Sequence, residues 1–141
     1  MSVPRVGPQD AARMLAEEGY VYLDVRSVPE FEQGHPEGAY NIPFLHMQEG
    51  GMQPNEAFVA QVRAAFTPET KLLLGCAAGA RSLSAAEQLL EAGFRDVVDQ
   101  RAGFGGVKDP FGRVTDPGWQ ALGLPVAFDA EAGRAYADLQ R

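Results

Sequence analysis

The chain has 141 residues, long enough for one domain with a substantial core. Its 45% hydrophobic and 22% charged fractions are those of an ordinary globular protein. A net charge of -7, from 12 Lys+Arg against 19 Asp+Glu, argues against nucleic acid or an anionic membrane surface as partner. One cysteine excludes an internal disulfide, and with only two histidines there is no cluster of metal-ligand spacing, so neither metal nor cofactor is expected.

The opening MSVPRVGPQDAARML has no basic head and no apolar run of signal length, and no later segment is long enough to span a bilayer, so a cytoplasmic protein is expected. From there PQDAARMLAEEG predicts a helix with Ala12, Leu15 and Ala16 on one face and Gly19 at its end. Tyr20 to Val25 is a compact β-rich run ending next to an acid, and in RSVPEFEQG Pro29 opens a helical turn closed by Gly34. A brief extended piece near Ala39 to Ile42 lies in a Pro- and Gly-bearing loop, and the chain passes from loop to helix after Asn55. KLLLG, starting at Lys71, is a buried strand. The next segment carries Leu83, Ala86, Leu89 and Leu90 at helical spacing, with Ser82 as N-cap and Gly93 as stop. DVVD is a further strand. From Ala102 the chain is too rich in Gly and Pro for one regular element and reads as a structured loop before a short helix holding Trp119. The tail DAEAGRAYADLQR reads as a surface helix or a frayed end.

Strands alternating with helices predict an α/β fold with a mainly parallel sheet covered on both faces, in one unit over residues 1–141 with its core at about 6–126 and a C-terminal extension at 127–141. Ligands of such sheets bind beyond the carboxyl ends of the strands. Cys76 stands there, between KLLLG and the following helix. A lone cysteine is usually a small packed hydrophobe. The surroundings of this one argue otherwise: helix N–H groups and the helix dipole favour a thiolate. Ala77, Ala78, Gly79 and Ala80 leave the loop free to turn its N–H groups inward as an anion nest, and Arg81 adds a cation.

LDVR, EF, GH, GA and NIP between Tyr22 and Pro43, then CAAGARS and GLPV, stand in an order that closely resembles the rhodanese family of sulfurtransferases, from near Val6 to Val126. The resemblance implies a rhodanese-like, five-stranded, mainly parallel sheet flanked by helices. It implies that Cys76 accepts a sulfane sulfur as a persulfide, cradled by the N–H groups of Ala77, Ala78, Gly79, Ala80, Arg81 and Ser82. The donor would be a small sulfane-sulfur compound such as thiosulfate, the acceptor a thiol, cyanide or a protein. Asp24, Arg26 and Glu30 match the family's DVR and EF elements and are read as supports, the carboxylates holding Arg81 or loop N–H groups. His35 is read as fixing a loop. His46 matches no motif and reads as a solvated loop residue, and Trp119 as core.

Two departures stand out. Ala77 occupies a position often charged or bulky in relatives, leaving fewer cations to attract thiosulfate, and VKDPFGRVTDP is inserted between Gly106 and Gly118, as a rim beside the site or a cover for an edge. Two rivals remain. Phosphatases related in fold place one residue more between cysteine and arginine than the four separating Cys76 from Arg81, and some rhodanese-like domains serve as non-catalytic interaction or sulfur-carrier modules.

Overall fold

Short apolar runs punctuated by glycine and proline set the element order in the computed structural model, which describes residues 2–139. In chain order these are β1 (Arg5–Val6), α1 (Pro8–Glu17), β2 (Val21–Asp24), α2 (Val28–Glu32), β3 (His35–Pro36), β4 (Tyr40–Asn41), β5 (Leu45–Gln48) and β6 (Gly51–Pro54). There follow α3 (Phe58–Ala65), β7 (Lys71–Gly75), α4 (Ala80–Glu91), β8 (Asp96–Gln100), β9 (Val107–Lys108), β10 (Val114–Asp116), β11 (Val126–Ala127) and α5 (Tyr136–Leu139).

The central sheet has five strands in the order β1-β8-β7-β2-β4, and every neighbouring pair is parallel. Because side chains alternate along a strand, consecutive residues of each run feed opposite cores. Leu72 and Leu74 of β7 join Leu23 and Val97 in the cluster packed by Phe58 and Val62 of α3 and Ala85, Ala86 and Leu89 of α4. Leu73 joins Tyr22 and Val98 in the other, with Ala11 and Met14 of α1, Phe31 of α2 and Trp119. This is the α/β fold with covered faces that the alternation of elements predicts.

Several local expectations are corrected. The buried face of α1 is Pro8, Ala11 and Met14, and Ala16 is exposed; the apolar stripe lies one position N-terminal to the expected one. In α4 the buried stripe is Ser82, Ala85, Ala86 and Leu89, with Leu83 and Leu90 half-buried. The N-cap of α4 is Gly79, not Ser82. Gly79 adopts φ +93°, which turns the chain into the helix three residues earlier than a serine cap would. Residues 43–54 are not all loop, since β5 and β6 form an antiparallel hairpin. Trp119 starts a series of turns, with Leu122 N–H on Gly118 O at 3.2 Å, and not a helix. It is nevertheless core: 2% exposed, edge-on to Tyr22, its indole N–H on Pro125 O at 2.8 Å.

The C-terminal segment packs back onto the domain. β11 pairs with β3, Asn41 N–H donates to Arg134 O, and Tyr136 receives a hydrogen bond from Gln61 Nε2 at 2.9 Å. The short α5 is the helical part of the tail; Gln140 and Arg141, the end of the tail sequence, lie outside the described residues. Among the described residues no helix is long and apolar enough to cross a membrane.

Candidate active site

Parallel strands place all their carboxyl ends on one edge, so the residues just after β2, β7 and β8 meet there. Cys76 follows β7 directly and is 2% exposed. Burial alone would suit a packed hydrophobe. What distinguishes this thiol is polar: Gly79 N–H points to Sγ at 3.0 Å, Ser82 N–H at 3.4 Å, and the Ser82 hydroxyl lies 3.4 Å from the sulfur as acceptor for the thiol proton. These amides belong to the N-terminal turn of α4, where four N–H groups lack helical partners. Among the described residues, Ala77, Ala78, Ala80 and Arg81 send no N–H to Sγ itself.

Gly79 is indispensable for geometry. A side chain there would suffer at φ +93°, and its Cβ would collide with the carbonyl oxygen of Arg101. The loop after β8 lies against the cradle: Phe104 N–H donates to Cys76 O at 2.7 Å and Gly105 N–H to Ala77 O at 2.9 Å. Gly103 permits that approach, since a Cβ there would strike the Ala77 carbonyl.

Three residues that sequence reasoning did not single out hold this second loop and the cradle. Gln100, fully buried, accepts from the N–H groups of Ala102 and Gly103 and donates to Gly103 O, all at 2.9 Å. Arg5 donates through Nε to Asp99 at 2.8 Å and through Nη2 to Gly79 O at 3.2 Å, tying the cradle to β8. Burial pushes the Asp99 carboxyl up, against the opposing pull of Ser82 and Arg5. For Asp99 and Gln100 the available signal was DVVDQ itself, which puts two polar residues at the buried carboxyl end of the strand.

The expected supports fall into two pairs. Glu30 grips Arg81 bidentately, at 2.7 and 3.0 Å, and also accepts from the Ser27 N–H at 3.1 Å and hydroxyl at 2.8 Å. Burial works to raise the Glu30 pKa, but the Arg81 and Ser27 hydrogen bonds overcome it and hold it down at about 2. Arg81 is raised, first by its bonds to Glu30 and with further attraction from Cys76 and Asp24. Asp24 holds Arg26 instead, with Nη2 to Oδ2 at 2.7 Å, in a buried ion pair. Arg26 also donates to Gly34 O at 2.7 Å and lies 4.5 Å from the centroid of the Phe104 ring. Burial opposes its charge, and Asp24 outweighs that cost, so its pKa is raised.

His35 stacks on Phe31 with ring centroids 3.7 Å apart and donates from Nδ1 to Phe31 O at 2.8 Å, closing the end of α2. Its ring stacks on and hydrogen-bonds to α2, and has no hydrogen bond to the thiol. His46 is half-buried on β5 and tilted against Tyr136, not a free loop residue.

The insert is a β9–β10 hairpin whose turn is held by Asp109 Oδ1, accepting from Phe111 and Arg113 N–H at 2.9 Å. Val107, Thr115 and Asp116 share with Ala78, Gly79 and Ala80 the lining of a groove of about 450 Å³, so the insert does stand beside the cradle.

A family model described as rhodanese-like domain matches residues 7–109. The chain belongs to that family. The rhodanese-like chain is 42% identical over 102 residues to the senescence-associated protein DIN1 of Raphanus sativus, covering 72% of this chain and 56% of that one. It is 39% identical over 102 residues to thiosulfate sulfurtransferase 16, chloroplastic, of Arabidopsis thaliana, covering 72% and 85%. It spans a little over half the length of the first of these relatives. Among solved structures it resembles the Rv0390 protein of M. tuberculosis, with a TM-score of 0.76, 27% identity, and coverage of 92% of this chain and all of that one. The fold alone is shared with thiosulfate sulfurtransferase from Pseudomonas aeruginosa, at a TM-score of 0.64 and 20% identity, covering 94% of this chain and 21% of that one.

Proposed function

We propose that this rhodanese-like domain, taken as one unit over 1–141, is a sulfurtransferase working through a persulfide on Cys76. The observation that carries the reading is the convergence of the Gly79 and Ser82 N–H groups on a sulfur at the carboxyl edge of the sheet. Fixed N–H dipoles aimed at a buried sulfur stabilise its anion without reorganising. In the first half-reaction the Cys76 thiolate attacks the sulfane sulfur of a donor such as thiosulfate. The donor S–S bond breaks, sulfite leaves with the bonding pair, and Cys76 carries the persulfide. In the second, a thiol, cyanide or a protein thiolate attacks the outer sulfur and the Cys76 thiolate leaves.

The loop amides not spent on Sγ, from Ala77, Ala78, Ala80 and Arg81, serve the outer sulfur. Arg81, steadied by Glu30, supplies the cation for an anionic donor. Asp24 and Arg26 fix the loop after β2, and His35 fixes the end of α2. The names of relatives as thiosulfate sulfurtransferases support the reaction class. We take its compartment to be the cytoplasm, a reducing setting that suits a single free thiol.

Intact-mass measurement after incubation with thiosulfate, and separately with polysulfide, tests the proposal. The parent protein gains the mass of one sulfur atom and loses it on addition of cyanide, with thiocyanate formed. Cys76→Ser gains none. Sulfur loading or thiocyanate production by Cys76→Ser at the parent rate overturns the assignment.

A further inference from the structure

The reaction assigned to Cys76 leaves the thiol proton without a destination. At rest the sulfur receives the Gly79 and Ser82 N–H groups, and its own proton is directed to the Ser82 hydroxyl at 3.4 Å. A hydroxyl that accepts one hydrogen bond still has a proton to give. Ser82 and Asp99, at the carboxyl end of β8, are both 0% exposed, and the Ser82 side chain acts on the Asp99 carboxyl by hydrogen bonding.

The two oxygens of Asp99 are unequally served. Oδ2 takes Arg5 Nε at 2.8 Å, while Oδ1 is buried and has no hydrogen-bond partner among the described residues, so the link from Ser82 to Oδ1 is open at rest. An ionised carboxylate oxygen in such a place is costly, and protonation relieves the cost. Burial accordingly pushes the Asp99 carboxyl up, in spite of Ser82 and Arg5. A thiol, a hydroxyl and an oxygen that gains by taking a proton thus stand in series.

We propose that Ser82 and Asp99 form a buried proton relay for Cys76, in which the thiol proton passes to the Ser82 oxygen while the Ser82 proton passes to Asp99 Oδ1. The proposal rests on the sulfurtransferase reading above. The S–H and original Oγ–H bonds break, new Oγ–H and Oδ1–H bonds form, and the negative charge moves from the carboxylate to the sulfur beneath the cradle N–H groups. The thiolate then takes the sulfane sulfur of thiosulfate, sulfite leaves with the bonding pair, and Asp99 keeps the proton while Cys76 carries the persulfide anion. When an acceptor thiolate or cyanide removes the outer sulfur, the departing Cys76 thiolate recovers the proton by the same path. Neither half-reaction exchanges a proton with solvent, which suits a cysteine that is 2% exposed. Ser82 touches the reacting sulfur; Asp99 is a positioning residue that acts through it and stores the proton.

The test is infrared difference spectroscopy of the full chain before and after loading with thiosulfate, with the extent of loading read by intact mass. On loading, a carboxylic-acid C=O band is expected to appear as a carboxylate band is lost. It should shift on isotope labelling of the aspartate carboxyls, vanish in Asp99→Asn, and reverse when cyanide removes the sulfur. In initial-rate measurements Asp99→Asn and Ser82→Ala are each expected to slow loading about a hundredfold, and the double variant no further, since two links of one relay fail together. Ser82→Ala retains the backbone N–H on the sulfur and the Arg5–Asp99 ion pair, which separates loss of the relay from loss of that pair. The parent's own spectrum decides the matter if a buried variant fails to fold. A parent that takes up no sulfur overturns the reading of Cys76 and the relay with it. Full loading without an aspartic-acid band, a band that persists in Asp99→Asn, or rate losses that multiply in the double variant overturns the relay alone.

Discussion

Replacing Glu30 by glutamine tests the electrostatics of the cradle most directly, because it removes one charge and keeps the shape. In the folded protein the Glu30 pKa is held at about 2, against about 4.3 for a free glutamate. A depressed carboxylate stabilises the fold above its unfolded pKa and loses that contribution as pH falls through the folded value. The window is therefore about pH 4.3 down to about 2. A difference of about two units corresponds to an upper bound of about 3 kcal/mol, and the partial exposure of both partners reduces this to about 2 kcal/mol. The partners' side chains are 18% and 23% exposed, enough for solvent to screen the pair in part. Urea unfolding followed by the fluorescence of Trp119, the only tryptophan and a core residue, measures it at a series of pH values. Glu30→Gln is expected to be less stable than the parent by about 2 kcal/mol at pH 7, with the gap closing between pH 4 and pH 2. A gap that stays constant across that range, or is absent at pH 7, refutes the argument that the Glu30 charge holds Arg81 and the capping turn together.

Three further outcomes follow from the geometry. Gly79→Ala meets both a positive φ and the Arg101 carbonyl, so it is expected to cost more than about 2 kcal/mol in urea and to abolish sulfur loading by intact mass. Gln100→Leu leaves the buried N–H groups of Ala102 and Gly103 unpaired in the loop against the cradle, while Gly103 O keeps the Trp119 N–H. Its expected cost is about 3 kcal/mol, read from the denaturant midpoint, and a loss below 1 kcal/mol would mean that water replaces the amide. Arg81→Ala is expected to slow sulfur uptake from thiosulfate about tenfold or more, and from an uncharged polysulfide much less. Equal slowing with both donors, in initial-rate measurements, would make Arg81 a loop support and not a recogniser of charge.

The alternation of the central strands and their helices, the parallel sheet and the position of Cys76 were legible in the sequence for a physical reason. KLLLG and DVVD are short apolar runs bounded by breakers, buried on both sides, and such runs have few alternatives to a central parallel strand. Ala77 to Ala80 are small and lead into a helical repeat, so an N–H cup could be read from local chain chemistry alone. Local chemistry was less informative where a competing pattern of similar strength existed. A serine is the expected cap before a helix, yet Gly79 starts α4 because the Arg101 carbonyl and the thiol both require close backbone approach at that point, and only the assembled loops reveal that requirement. The stripes of α1 and α4 were misread by about one position, since alanine and leucine occur on several faces of each helix and the sheet decides which is covered. The division of labour between the acids was open in the sequence as well: Glu30 and Asp24 were equal candidates for Arg81. Asp24 is instead turned to Arg26 by the two-residue spacing after β2, and Glu30 reaches Arg81 only because α2 and α4 meet above the sheet edge. Arg5, Asp99 and Gln100 lie far from Cys76 in sequence or within a strand of ordinary appearance. Their role as braces exists only where β1, β8 and the cradle come together, because a buried polar group acquires meaning from its partner, and the partner is chosen by the fold.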